Sequence, residues 1–281
     1  MTSLATALVA AAAARAAWTA LLGRAPGGGA AWRRTNHRGE TVTLLEGPAW
    51  TAGALTGVLL APLPSRVRAG TALAVGVSGL LGAVDDLAGT TSDKGLRGHL
   101  GALAQGRVTT GAVKVLGIGA AGVAAAGVLL RGTPRGGRLA ALADTVVAGG
   151  VVAGTANLLN LLDLRPGRAL KVALLPAPAA LAGGNAAPLL AAAAGASAAL
   201  LGDDLGERAM LGDSGANAAG ALLGCAVVTA TARAGRPGPA LRAAALAGLV
   251  ALTLASERVS FTRVIETTPV LRELDGLGRR R

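Results

Sequence analysis

Residues 71–89 read TALAVGVSGLLGAVDDLAG, an apolar run that ends in two adjacent aspartates, Asp85 and Asp86. The run is apolar enough to cross a membrane. Two like charges about 4 Å apart repel by about 4 kcal/mol even at an effective dielectric near 20. A hard divalent cation would compensate this pair, and Mg²⁺ prefers one or two carboxylates together with water and phosphate oxygens. The alternative interpretation is an ordinary solvated helix end.

The composition of the whole chain favours a membrane protein. Of 281 residues, 52% are hydrophobic and only 15% are charged, and the mean hydropathy is +0.55. These values are typical of polytopic membrane proteins and argue against a soluble globule. Alanine and glycine dominate the apolar runs, and such small residues let helices pack closely in lipid. We therefore expect an all-α protein, built as a compact bundle of membrane helices.

Nine apolar segments are candidates for transmembrane helices. Several of them have only about 14 to 17 residues, fewer than the ~20 that usually cross a bilayer. The first segment lacks a preceding positive residue and contains Arg15, so we interpret it as a retained helix rather than a signal peptide. The segments cover residues 3–22, 47–62, 69–85, 108–130, 139–159, 169–182, 186–201, 215–232 and 241–255.

The distribution of positive charge predicts the orientation in the membrane. If the connections alternate between two sides, 17 of the 25 lysines and arginines outside the helices fall on the side of the 23–46 connection. The positive-inside rule places this side in the cytoplasm, so the N-terminus lies outside and the C-terminus inside. Topology also accounts for the net charge of +12. Nucleic-acid binding is not expected, because no aromatic residues interleave with the basic ones.

Three polar clusters fall on the predicted cytoplasmic side. Asp85 and Asp86 end the third segment, NLLNLLD (157–163) ends the fifth, and MLGDSGANAAG (210–220) opens the eighth. In the second cluster Asn157, Asn160 and Asp163 follow at intervals of three, so neighbouring members share a helix face. Amides beside a carboxylate suit a site for a phosphate or an amide-bearing sugar.

Each cluster also has a purely structural interpretation. Asp213, or Ser214, is a candidate helix cap, although an aspartate at a helix start can equally reach a metal while free N–H groups bind an anion. The asparagines of the second cluster could hydrogen-bond neighbouring helices. Lys114, one or two turns inside the fourth segment, could extend to the interface.

The order of these motifs resembles the polyprenyl-phosphate N-acetylhexosamine-1-phosphate transferases, the MraY-like and WecA-like enzymes of glycosyltransferase family 4. The likeness rests on GAVDDLAG, LRGHLGALAQGRVTTGAVKVLGIG, NLLNLLD and MLGDSGANAAG, and it extends over residues 30–225. It implies an enzyme that moves a sugar 1-phosphate from a UDP-sugar to a polyprenyl phosphate, releases UMP and uses Mg²⁺. The implied setting is cell-envelope glycan synthesis, with a multi-pass protein of the cell membrane whose active site faces the cytoplasm.

The resemblance assigns roles motif by motif. Asp85, Asp86, Asp163 and Lys114 correspond to catalytic positions, and Asp213 with Asp85 to the metal site. Contacts with the substrates fall to Asn157, Asn160, His99 and Arg97. The implied partners are the UDP-sugar, the polyprenyl phosphate and the lipid bilayer, and a second copy of the chain is a further candidate.

Two features depart from the family pattern. The middle motif continues as DLRPG (163–167) where the family has DGxDG, and the histidine-rich motif of the last cytoplasmic loop is missing. Because that loop helps to recognise the sugar nucleotide, the donor sugar is not assigned. The alternative function is that of a divergent, non-catalytic member acting as a lipid-carrier transporter or a binding scaffold.

The chain divides into a transmembrane domain, residues 1–255, and a basic cytoplasmic tail, residues 256–281. In the tail, Phe261, Val264 and Ile265 share one helical face. The sequence therefore predicts a short helix on the membrane surface before Pro269. Arg258 and Arg263 of this tail are candidates to replace the missing histidine-rich loop.

Overall fold

The computed structural model describes residues 2–88, 109–232 and 237–280. Apart from one small β-hairpin, the regular structure in these ranges is helical, which confirms the all-α class. The hairpin pairs β1 (Arg33–Thr35) with antiparallel β2 (Thr41–Thr43). The helices are α1 (Ser3–Gly23), α2 (Glu46–Leu60), α3 (Ser65–Ala88), α4 (Thr110–Leu129), α5 (Arg138–Leu162), α6 (Arg168–Leu174), α7 (Ala177–Ala182), α8 (Ala187–Leu205), α9 (Gly212–Ala232), α10 (Pro237–Ser256), α11 (Phe261–Thr267) and α12 (Pro269–Gly276).

Six of the helices in the described ranges are long and apolar enough to cross a membrane. These six are α1, α3, α4, α5, α9 and α10. The chain therefore has the features of a helical membrane protein. The full count of nine spans, and the orientation of the termini, remain predictions.

The segment predicted at 169–182 does not form one continuous helix. It forms two short helices of 7 and 6 residues, α6 and α7, on either side of Pro176. Proline has no backbone N–H and its ring clashes with the carbonyl of the residue four positions earlier in a continuous helix, so the break follows from the sequence.

Helix α9 lies at the centre of the bundle and packs against α3 and α5 most extensively. In its most apolar stretch 78% of the residues are buried within the protein, against 11% for α10. Small residues make this packing possible. A methyl group at Gly82 of α3 would overlap the carbonyl oxygen of Asp213 in α9, and one at Gly220 of α9 would overlap that of Thr155 in α5.

The exposed helix α10 is fastened to α5 by a buried ion pair. Nε and Nη2 of the Arg242 guanidinium donate to the two carboxylate oxygens of Asp144 at 2.9 and 2.7 Å. Arg242 is 1% exposed, so the pair is shielded from solvent. Arg242 lies near the start of α10 and Asp144 near the start of α5, at the end of the bundle opposite to the polar clusters.

The predicted short helix of the tail is confirmed as α11, which ends one residue before Thr268. The chain then continues beyond Pro269 as α12, a helix that the sequence did not predict. The hairpin, the loop after α5 and this C-terminal part all lie at the end of the bundle where the polar clusters meet.

Candidate active site

The ends of four helices bring the predicted acids together. Asp85 and Asp86 lie in the last turn of α3, Lys114 lies in the second turn of α4, and Asp213 lies in the first turn of α9. Asp163 follows the last residue of α5. Because neighbouring helices run in opposite directions, these five positions meet at one end of the bundle.

Lys114 joins two of the carboxylates. Its Nζ lies 2.7 Å from Oδ2 of Asp85 and 2.6 Å from Oδ2 of Asp213. The two bonded oxygens are therefore at most about 5 Å apart, given the length of two charge-assisted hydrogen bonds. The three side chains are partly shielded from solvent, with exposed fractions of 14%, 13% and 27% for Asp85, Lys114 and Asp213.

Asp86 has a different partner from its neighbour. Its Oδ1 accepts the backbone N–H of Asp213 at 3.0 Å, and its Oδ2 accepts that of Ser214 at 2.9 Å. Asp86 thus satisfies the free N–H groups at the start of α9, where a negative charge also interacts favourably with the helix dipole. The expectation that these N–H groups are free to bind an anion is wrong, and the cap comes from α3 rather than from Asp213 or Ser214.

Asp163 is attached to the same helix start. Its side chain accepts a hydrogen bond from the backbone N–H of Gly212, and it lies within electrostatic range of Asp86 and Asp213. Its side chain is buried, with 8% of the residue exposed. The first turn of α9 therefore holds Asp86 and Asp163 as well as carrying Asp213.

The predicted substrate contacts fall into three groups. Asn157 faces α10 and donates from Nδ2 to Oγ1 of Thr253 at 3.0 Å, which is the contact expected of an amide that joins two membrane helices. Asn160 is half-buried, and its side chain makes no hydrogen bond within the described ranges. Arg97 and His99 lie outside the described residues.

A cleft of about 190 Å³ opens beside Asp163. Asn36 and His37 of the hairpin turn line one side, and Leu164, Arg165 and Pro166 after Asp163 line another. Burial and the positive charge of Arg165 lower the pKa of His37 below its ordinary value, so the imidazole is neutral at pH 7.

A third wall of the cleft, residues 207–210, is joined to the hairpin by backbone hydrogen bonds. Thr43 donates to the carbonyl of Arg208 at 3.3 Å and accepts from the N–H of Met210 at 3.0 Å. Glu207 in this wall has a φ of 56°, the one positive value for a residue other than glycine in the described ranges. Backbone strain of this kind is concentrated at functional sites.

Sequence reasoning missed two buried acids next to this site. Glu46, the first residue of α2, is fully buried, and neither of its carboxylate oxygens has a hydrogen-bond partner within the described ranges. Asp204 is 1% exposed, and it accepts the backbone N–H of Gly167 at 3.0 Å. Both lie within electrostatic range of Asp163. The sequence contained a signal for Asp204, because LLGDDLG (200–206) repeats the pattern of an apolar run that ends in two aspartates.

Asp85 and Asp213 present carboxylate oxygens, the hard ligands that Mg²⁺ prefers together with water and phosphate. In this structure the point on which these two carboxylates converge is the ammonium of Lys114. Within the described ranges, no group of three or more histidine, cysteine, aspartate or glutamate side chains is arranged to hold a metal ion.

The chain matches no protein-family model and no curated protein sequence.

Proposed function

We propose that this protein transfers a sugar 1-phosphate from a UDP-sugar to a polyprenyl phosphate and releases UMP. One observation carries the proposal. Asp85, Asp86, Lys114, Asp163 and Asp213 come from four separate parts of the chain, yet they meet at one end of the bundle around the first turn of α9. The order of the motifs that supply them is the one on which the family resemblance rests.

In the proposed reaction an oxygen of the polyprenyl phosphate attacks the β-phosphorus of the UDP-sugar. The bond between that phosphorus and the oxygen shared with the α-phosphate breaks, and UMP leaves with that oxygen. The products are a polyprenyl diphosphate sugar and UMP. Phosphoryl transfer of this kind depends mainly on positioning and on neutralising negative charge.

Asp213 and Asp85 would hold Mg²⁺ in this reaction, and the ion would neutralise charge on the donor diphosphate. Lys114 already lies between these two carboxylates and supplies a second positive charge at the place where phosphate charge develops. Asp86 acts as a positioning residue, because its hydrogen bonds fix the backbone that carries Asp213. Asp163 is placed between this cluster and the cleft.

The cleft beside Asp163 is proposed to accept the nucleotide part of the donor. Arg165 at its rim attracts anions, and the neutral His37 can both donate and accept a hydrogen bond. The altered DLRPG motif supplies four of the lining residues: Asp163, Leu164, Arg165 and Pro166. The donor selected by this chain is therefore expected to differ from those of members with the usual motif.

The position of the cluster favours an enzyme over the alternative of a lipid-carrier transporter. Transporters place their sites near the middle of the membrane, where helices are often broken. Here the charged groups lie at helix ends, where a water-soluble nucleotide sugar and a membrane-embedded lipid phosphate can meet.

The test is to incubate the purified protein with a panel of UDP-sugars, a polyprenyl phosphate and Mg²⁺, and to measure UMP. Release of UMP that requires both the lipid phosphate and Mg²⁺ supports the proposal. If no donor yields UMP while the protein still binds the polyprenyl phosphate, the transferase is excluded and the non-catalytic alternative is favoured.

A further inference from the structure

The C-terminal segment, residues 269–280, lies across the end of the bundle that contains the candidate site. Its strongest contact is a buried ion pair with the first residue of α6, directly after the loop that follows α5. Arg168 donates from Nε and Nη2 to the two oxygens of Asp275 at 2.8 and 2.9 Å. Arg168 is 3% exposed and Asp275 is 8% exposed, so this paired contact is shielded from solvent. Such a forked arrangement fixes the direction as well as the distance between its partners.

Further bonds attach the segment to this loop and to α6. Arg279 donates from Nε to the carbonyl of Pro166 at 2.8 Å and from Nη2 to Asp275 at 2.7 Å. Lys171 donates from Nζ to the carbonyl of Asp275 at 2.7 Å, near the C-terminal end of α12 where carbonyl groups are free. The loop held in this way is the one that lines the cleft directly after Asp163.

The end of the segment is bonded to the hairpin on the other side of the cleft. Nη2 of Arg280 lies 2.5 Å from both carboxylate oxygens of Glu40. In return, Arg38 donates from Nη2 to the carbonyl of Arg280 at 2.9 Å. These contacts fall on the hairpin turn that also presents Asn36 and His37 to the cleft.

We propose that the C-terminal segment positions both walls of the cleft, with Asp275 and Arg279 holding the loop after α5 and Arg280 holding the hairpin turn. The loop Leu164–Gly167 and the hairpin turn come from parts of the chain more than 120 residues apart. Within the described ranges, the segment is bonded to each of them.

The charges of the segment suit the same role. Arg279 lies close enough to His37 to contribute, after burial, Arg165 and Arg38, to the lowering of that residue's pKa, which the negative charge of Glu207 opposes. Arg279 therefore adds positive charge at the His37 side of a cleft whose lining also includes the acids Asp163 and Glu207. Arg258 and Arg263, the basic residues expected from the sequence to take this role, are exposed and do not line the cleft.

The first test measures the positioning directly, without any assumption about activity. Amide hydrogen exchange is compared between the full-length protein and the variants Asp275→Asn and Arg279→Gln, all purified in the same detergent. We expect exchange at residues 36–43 and 164–168 to become faster by about tenfold or more in both variants, because local opening governs exchange. Arg272→Gln is the matched control, since Arg272 is an exposed arginine of α12, the helix that carries Asp275.

Unchanged exchange at both walls in both variants would overturn the inference. A uniform rise throughout the bundle would also overturn it, since that pattern reports a general loss of stability. If Asp275→Asn fails to fold, Arg279→Gln provides the measurement, because it removes the bond to Pro166 and leaves the pair with Arg168 in place.

The second test rests on the proposed function. If the wild-type protein releases UMP, Asp275→Asn should raise the KM for the UDP-sugar by about tenfold with a smaller change in kcat, as a misplaced binding wall would. The KM for the polyprenyl phosphate should stay the same. Faster exchange at both walls together with no UMP from any donor would reject the transferase and leave the positioning role standing.

Discussion

At the scale of single residues, the two adjacent aspartates avoid mutual repulsion by having different partners. Successive residues of a helix point in directions about 100° apart, so Asp85 and Asp86 need not face each other. Asp85 bonds to the ammonium of Lys114, and Asp86 bonds to two backbone N–H groups of α9. The charge of Asp85 is thus compensated by a lysine, and the charge of Asp86 by the N–H groups at the start of a helix.

The most direct prediction concerns Asp213. Replacing it with Asn keeps the size of the side chain but removes the charge that would hold Mg²⁺, so turnover should fall by a factor of about 10² or more. UMP release measures the effect. Glu273→Gln, a similar change at an exposed residue of α12, should leave the rate unchanged. A fully active Asp213→Asn variant would contradict the proposed metal site.

Substitution of Lys114 is expected to strengthen the binding of a divalent cation and to reduce turnover. The Lys114→Gln variant leaves Asp85 and Asp213 without their shared counter-charge, so a divalent cation should bind more tightly. Thermal unfolding should therefore show a larger increase in Tm on addition of Mg²⁺ than in the wild type, while turnover decreases. An equal Mg²⁺ effect in the two proteins would mean that the ion binds elsewhere.

At the scale of helices, the site depends on the close approach of α3 and α9. Asp86 reaches the first turn of α9 because Gly82, one turn earlier in α3, lets the two backbones come into contact. Helix α9 in turn carries Asp213 and bonds Asp163 through Gly212. The positions of Asp86 and Asp213 therefore follow from the packing of α3 against α9, and that of Asp163 from the packing of α5 against α9.

Substitution of Gly82 tests this dependence. An added methyl group would overlap the carbonyl oxygen of Asp213, and overpacking of this kind typically costs about 1–3 kcal/mol. Gly82→Ala should lower the Tm and reduce UMP release. Gly76→Ala is the matched control in the same helix, because no atom lies within 4 Å of its added methyl group. Equal behaviour of the two variants would show that the α3–α9 contact does not set the site.

The attachment of α12 should depend on pH through Asp275. Burial raises the pKa of Asp275, but the hydrogen bonds from Arg168 and the charges of Arg168 and Arg279 outweigh it and hold the pKa below its ordinary value of 3.8. A lowered pKa in the folded state means that the stabilisation is present above pH 3.8 and is lost as the pH falls through the lower, folded-state value.

Limited proteolysis of the C-terminal segment between pH 6 and pH 2.5 provides the measurement, with an acid-tolerant protease. The segment should be protected at pH 6 and become cleavable as the pH falls below about 4. Asp275→Asn should be cleaved equally over the whole range. Protection of the wild type that persists at pH 2.5 would show that the charged form of Asp275 does not hold the segment.

At the scale of the whole molecule, the C-terminal segment and the candidate site lie at the same end of the bundle. The contacts of Asp275, Arg279 and Arg280 establish this without reference to the membrane. The excess of basic residues on the connections at this end predicts that it faces the cytoplasm. The location of the C-terminus therefore also decides the location of the site.

Fusions of alkaline phosphatase, which is active only outside the cytoplasm, test this orientation. A fusion after residue 281 should be inactive, while one after Gly136, between α4 and α5, should be active because that connection lies at the opposite end. A green fluorescent protein fused after residue 281 should fluoresce. The reverse pattern would place the site outside the cell and exclude a cytoplasmic nucleotide-sugar donor.

The sequence by itself determined the properties that depend on neighbouring residues along the chain. Long apolar runs predict membrane helices because each helix satisfies its own backbone hydrogen bonds. Successive membrane helices run in opposite directions, so counting the segments along the chain was enough to place Asp85, Asp163 and Asp213 at the same end. The break at Pro176 was equally readable, and it was missed because hydropathy was averaged across it.

The tertiary structure alone decided the contacts that join distant parts of the chain. The capping of α9 by Asp86, the burial of Glu46 and Asp204, and the pairing of Arg168 with Asp275 each join residues more than 100 positions apart or depend on such packing. No repeating pattern in the sequence indicates which distant residues will be in contact. The ion pairs and the helix cap form because the helices pack through glycine and alanine, and that packing excludes water, so groups such as Arg168 and Asp275 are compensated within the protein.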